Sequence, residues 1–232
     1  MVFNPKTTAE KQIIECELSI IPTENYLEKR SYIEVYDENG NKLKAQTVKE
    51  ASNISIDWRK KVVFETSPAA MSITRYTAKT VVLPVKKYPE VTEDIVFENG
   101  DKRVVIGAKS GLIESYVVHG KEYAEGRLFV PKMYDDTPDP WGMNEPFVGH
   151  NPAELTLLEK PDGVFEGMKS VQIIEDGEIY LGVEAFFGTG LTRVRLGYKI
   201  YKDGSAVDIE ANVFPLSLIH ISEPTRPLYI SY

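Results

Sequence analysis

The stretch IIECELSI, residues 13–20, sets apolar Ile14, Cys16, Leu18 and Ile20 alternately with Glu15, Glu17 and Ser19. A period of two scatters apolar side chains around a helix axis, but on an extended chain it gathers them on one side. The stretch therefore predicts a half-buried strand. KKVVFET (60–66) and MSITRYTAKTVVL (71–83) continue the pattern. Three segments read as hairpins, because a short Gly-containing turn separates two alternating runs. They are YIEVYDENGNKLKAQ around Asn39-Gly40, VQIIEDGEIYLGVEAFF around Asp176-Gly177, and RLGYKIYKDGSAVDIEANVF around Asp203-Gly204. No amphipathic helix longer than a turn or two is legible, so the predicted fold class is all-β.

Composition narrows the function classes. Hydrophobic residues make up 42% and aromatic residues 10% of the 232 positions, enough apolar material for a core. The net charge is −8 with no basic run, so there is no electrostatic footprint for nucleic acid or an anionic membrane. No apolar stretch approaches the length of a bilayer span. Cys16 is the only cysteine, which rules out an intrachain disulfide and a Cys-based zinc site. The opening MVFNPKTTAEK has no apolar signal core, and cytoplasm is the expected compartment.

The Pro-containing stretch LPVKKYPEVTED (83–94) predicts a boundary. Residues 1–88 are expected to form a small β-sandwich, and residues 89–215 to begin a second, larger one. The last segment, LSLIHISEPTRPLYISY (216–232), reads unlike the rest. A nucleotide string that encodes Leu216 to Arg226 without mismatch resembles the end of a transposase-based sequencing adaptor. Residues 216–232 are accordingly read as a non-native tail, excluded from fold reasoning, and the native chain is expected to continue past Pro215.

The densest concentration of chemistry lies in PKMYDDTPDPWGMNEPF (131–147), where Asp135, Asp136 and Asp139 precede Trp141, with Pro138 and Pro140 stiffening the path. Paired carboxylates are what glycosidic cleavage uses, one as acid and one as nucleophile or base. Oxygen-rich loops also hold hard cations, although the spacing of an EF-hand is absent. Trp beside carboxylates suits a sugar, whose apolar ring face packs on the indole while the acids accept hydroxyl protons. The competing reading is a solvated acidic turn with Trp141 in the core. His119 sits in a turn and His150 in a polar loop, neither with a second His at ligand spacing. DWRKKVVF (57–64) sets three basic residues beside Trp58 and reads as a strand entry with a solvated basic edge. No self-sufficient catalytic site is visible, so no catalytic residue and no metal ligand is assigned.

VFNP (2–5), DENGNKLKAQTVKEASNISIDWRKKVVF (37–64) and KSGLIESYVVHGKEY (109–123) with YDDTPDPWGM (134–143) resemble glycoside hydrolase family 38, the α-mannosidases. The resemblance is to the β-rich portion that follows the catalytic domain in bacterial members, and it covers residues 2–215. It implies a small β-sandwich followed by the beginning of a large, mutarotase-like β-supersandwich, truncated. It also implies that the parent is a retaining α-mannosidase acting on terminal α-mannosides with an Asp nucleophile and a zinc ion. Those groups belong to an N-terminal domain whose motifs are missing here, so the chain alone is expected to be inactive and to hold no cofactor. The expected partners are a mannoside or other carbohydrate and the missing catalytic domain. By the same resemblance the 134–143 loop is expected beside the sugar, with Asp136, Asp139 and Trp141 as substrate-adjacent residues.

Two other readings compete. A stand-alone carbohydrate-binding β-sandwich would bind sugar by itself. An aldose epimerase of the mutarotase type would need a His and a Glu poised as acid and base, for which His119 and His150 are the only native histidines.

Overall fold

The computed structural model describes residues 1–21, 28–48, 59–134 and 153–214. Every strand pairing with a recorded register is antiparallel, and among the described residues the only helical element is a single 3-10 turn, Gly163–Phe165. The fold is all-β and sandwich-type. The described residues divide into two units. One comprises Met1–Glu90, Ile173–Gly182 and Lys199–Val207, and the other Val91–Gln172, Val183–Tyr198 and the stretch from Asp208. The first division falls inside the 83–94 stretch.

In the first unit, β1 (Val2–Asn4), β2 (Gln12–Ser19), β3 (Lys29–Tyr36), β4 (Ala45–Val48), β5 (Arg59–Thr66), β6 (Ser72–Thr74) and β7 (Thr77–Pro84) form three sheets. They are β2-β5-β4, β3-β7 and β1-β6. The alternation of β2 appears as expected, each of Ile14, Cys16 and Leu18 half-buried and each intervening residue exposed. These side chains join Ile33 and Val35 of β3 and Val62 and Phe64 of β5 in one core, which closes the two larger sheets face to face. β5 is apolar on both sides for a reason. Val62 and Phe64 enter that core, while Val63 packs with Val48, Ile179 and Tyr180 in a second one.

The segment around Asn39-Gly40 departs from expectation. The reversal is present: Gly40 has φ +83, and the Asp37 carboxylate accepts from the backbone N–H of Asn39 and Asn41. The two flanking runs nevertheless share only one isolated bridge, Tyr36–Lys42, and then separate. β3 pairs with β7 and β4 with β5, so the turn carries the chain from one sheet to the other. Leu43 and Ala45 of the return run still pack against the core that Ile33 and Val35 share with Val62 and Phe64, so the apolar residues of both runs meet in one core while their backbones pair elsewhere. Likewise 71–83 is two strands, β6 and β7. They are separated at Arg75-Tyr76, where the Tyr76 ring turns inward, 5.1 Å from that of Phe64.

The second unit begins with β8 (Ile95–Glu98), β9 (Lys102–Ile106), β10 (Ile113–Val118) and β11 (Lys121–Glu122), a meander in the order β11-β10-β9-β8. β12 (Lys132–Met133) and β13 (Ala153–Glu154) pair as a short ribbon. β14 (Thr156–Leu157), β15 (Val171–Asp176), β16 (Tyr180–Thr189), β17 (Thr192–Tyr201) and β18 (Val207–Phe214) make a five-stranded sheet, of which Ile173–Gly182 and Lys199–Val207 are counted with the first unit. The hairpins β15–β16 and β17–β18 turn where Asp176-Gly177 and Asp203-Gly204 place them. Within this unit the Tyr198 hydroxyl donates to the Gly111 carbonyl at 2.9 Å, and burial pushes the pKa of that hydroxyl up. Gly111 has φ +67, and a side chain there would meet Leu157 Cδ1 at 2.6 Å and the Ala185 Cβ at 2.9 Å. Only glycine satisfies both the dihedral and the close approach.

Candidate functional site

The expected substrate-facing loop is framed by β12 and β13. Lys132 pairs with Glu154 and Met133 with Ala153, so the chain that leaves after Tyr134 returns beside its point of departure. Asp136, Asp139 and Trp141, with Asp135 and His150, lie outside the described residues, as does Trp58.

Within the described residues the most developed polar constellation lies on the five-stranded sheet, at residues that belong to the second unit. Glu184 of β16 is only 1% exposed. One carboxylate oxygen pairs with Arg195 of β17, and the other accepts from Gln172 Nε2 at 3.1 Å. Arg195 continues to Glu210 of β18 at 2.7 Å, and Asn212 donates to the same Glu210 oxygen at 3.2 Å. The row thus crosses four adjacent strands, and both oxygens of Glu184 are already engaged. That makes Glu184 a fixed acceptor which ties strands together rather than an idle acid. A carboxylate taken from water needs such partners, because burying it unpaired costs several kcal/mol. Sequence reading passed over it, although one signal was available. YLGVEAFFG carries a single charge inside an otherwise apolar strand, and such a charge must be met by a partner on a neighbouring strand.

Other polar groups are structural by their geometry. Glu122 receives the Ser115 hydroxyl at 2.5 Å and the backbone N–H groups of Ala124, Tyr116 and Tyr123. Those donors hold its pKa down to about 2, and they knit the β10–β11 hairpin. His119 occupies the exposed turn of that hairpin with φ +48, as its Val-His-Gly context predicts. Cys16 is half-buried, and desolvation raises its thiol pKa, in keeping with a small core residue. Asn4, from the VFNP opening, is 2% exposed and donates to the carbonyls of Thr8, Pro68 and Ala69 while accepting from Lys6 N–H. That side chain pins β1 to the loop before β6. Gln46 of β4 accepts from the backbone N–H of Ile179 and Tyr180 at 3.1 and 3.0 Å, capping the β15–β16 turn within the first unit.

Among the described residues no group of three or more His, Cys, Asp or Glu side chains stands together in an arrangement that would hold a metal ion. No helix among them is long and apolar enough to cross a membrane. No family profile matches the chain, and neither does any curated protein or any solved structure.

Proposed function

We propose that this chain is the accessory β-rich portion of a cytoplasmic retaining α-mannosidase of glycoside hydrolase family 38. It contributes carbohydrate contacts to terminal α-mannosides and depends for catalysis on a domain that precedes it. The observation that carries the reading is YDDTPDPWGM (134–143), an acidic and aromatic stretch that directly follows β12 in the sequence. The all-β architecture, in which a small sandwich is followed by a larger sheet system, supports the same reading.

In this reading Asp136 or Asp139 accepts a hydroxyl of the mannoside and Trp141 walls the apolar face of the ring. The zinc ion and the Asp nucleophile belong to the preceding domain, and no step of the reaction is assigned to residues of this chain.

The test is the Trp141→Ala variant of the intact enzyme. A fall in kcat/KM of about tenfold or more, with an unchanged melting temperature, is the expected result. Unchanged kinetics would remove the loop from the site. Calorimetric titration of the isolated 232-residue chain with α-mannosides supplies the contrast. Saturable binding without any partner domain would favour a self-sufficient carbohydrate-binding module instead.

A further inference from the structure

The tripeptide Glu-Asn-Gly occurs twice, at 38–40 and at 98–100. An Asn-Gly pair can react with itself, because the glycine nitrogen can attack the asparagine Cγ and no side chain on the glycine stands in the way. As sequence, the two sites are equally reactive. Both glycines also stand in open space, so access does not separate them. Hydrogen bonding does. Asn99 is half-buried, and its Oδ1 accepts from the backbone N–H groups of Asp101 and Lys102 at 2.8 and 2.7 Å. Its own N–H donates to the Lys102 carbonyl at 2.9 Å. Asn39 is exposed. Its backbone N–H donates to Asp37 Oδ1 at 2.9 Å, but its side-chain amide makes no hydrogen bond among the described residues.

We propose that Asn39-Gly40 is a site of spontaneous backbone modification, and that the fold protects Asn99-Gly100 from the same reaction. The step is a cyclisation. A bond forms between Gly40 N and Asn39 Cγ, the Cγ–Nδ2 bond breaks, and the Gly40 amide proton leaves with the nitrogen as ammonia. Water then opens the succinimide at either carbonyl, which gives aspartate or isoaspartate at position 39. To react, Asn39 gives up one bond in an exposed turn, that from Gly40 N–H to the Asp37 carbonyl at 3.1 Å. Asn99 must give up both bonds to its Oδ1, which hold the amide group in place. The one additional bond, at the net value usual in proteins, slows the reaction about fivefold. The consequence falls on the turn that carries the chain from β3 to β4. Isoaspartate adds a methylene to its backbone, and either product sets a new carboxylate near that of Asp37, which accepts from the N–H groups of Asn39 and Asn41. None of this depends on the mannosidase reading.

The experiment follows the full 232-residue chain through prolonged incubation at mildly alkaline pH, with and without denaturing urea. Peptide mapping by mass spectrometry reads the amide-to-acid mass gain at each asparagine, and chromatography separates the isoaspartyl peptide. In the native chain Asn39 should convert about fivefold faster than Asn99, and in urea the two rates should come together. Asn39→Gln, whose longer side chain disfavours ring closure, should abolish conversion in this turn and leave that at Asn99 unchanged. Native rates that are equal, or faster at Asn99, overturn the proposal, as does an Asn39 that stays intact in the native chain. Conversion that persists in this turn in the Asn39→Gln variant moves the site to Asn41 and likewise overturns it.

Discussion

Glu184 and Asp203 are both carboxylates bridged to cations, yet they sit in opposite environments. Glu184 lies in the five-stranded sheet, in the second unit, with its side chain 2% exposed, and pairs with an Arg195 that is 23% exposed. Asp203 lies at the β17–β18 turn, in the first unit, 48% exposed, and receives Lys11 and Lys44 at 2.9 Å each. By a count of partners Asp203 is as well served as Glu184. Their energetic meanings differ because solvent screens one pair and is excluded from the other. The buried charge is expensive to orphan, whereas the exposed one is cheap to remove.

Removing Arg195 should break the comparison most sharply. Arg195→Met keeps the stem that packs on the sheet but leaves the Glu184 carboxylate without its cation. A loss of about 3–5 kcal/mol is expected in denaturant unfolding. A loss below about 1 kcal/mol would show that water reaches Glu184. Glu184→Gln sharpens the point, because the amide keeps an acceptor for Gln172 while the charge goes. The expected loss is about 1–2 kcal/mol, the scale of a charge-assisted bond replaced by a neutral one. A Glu184→Gln loss as large as that of Arg195→Met would mean that the attraction itself, rather than the orphaned charge, dominates.

Asp203→Asn should be the smallest, below about 1 kcal/mol after solvent screening, and smaller still in high salt. Its pH dependence has a definite sign. Lys44 and then Lys11 hold the Asp203 pKa down to about 2 from its ordinary 3.8. A carboxylate with a depressed folded pKa stabilises above its unfolded value and loses that contribution as pH falls through the folded one. Wild type and Asp203→Asn should therefore differ in melting temperature at neutral pH and converge between about pH 4 and pH 2. A difference that grows as pH falls over that range would contradict the assignment.

Legibility in the sequence follows the range of the interaction. β2 was readable because its environment, apolar below and water above, is written directly as Ile-Glu-Cys-Glu-Leu. The turns at Asp176-Gly177 and Asp203-Gly204 were readable for a similar reason, since a reversal is decided by a few adjacent residues. Asn39-Gly40 marks the limit of that logic. Its local chemistry made a turn, and the partner of each flanking strand was chosen elsewhere. The candidate site divides in the same way. Asp136, Asp139 and Trp141 announce themselves by composition, while the Glu184–Arg195–Glu210 row does not, because its members are separated by eleven and fifteen positions.

By itself, then, the sequence determined the all-β class, the strand alternation and the places where the chain reverses. All three depend on residues within a turn or a strand of one another. Tertiary structure alone decided which strands pair outside the β15–β16 and β17–β18 hairpins, that β5 is buried on both faces, that Asn4 and Gln46 serve as backbone clamps, and that Glu184 is a buried ion rather than a solvated one. The physical reason is common to all four. Burial and pairing free energies depend on which distant surfaces meet, and a local pattern carries an apolar face or a charge without naming its partner.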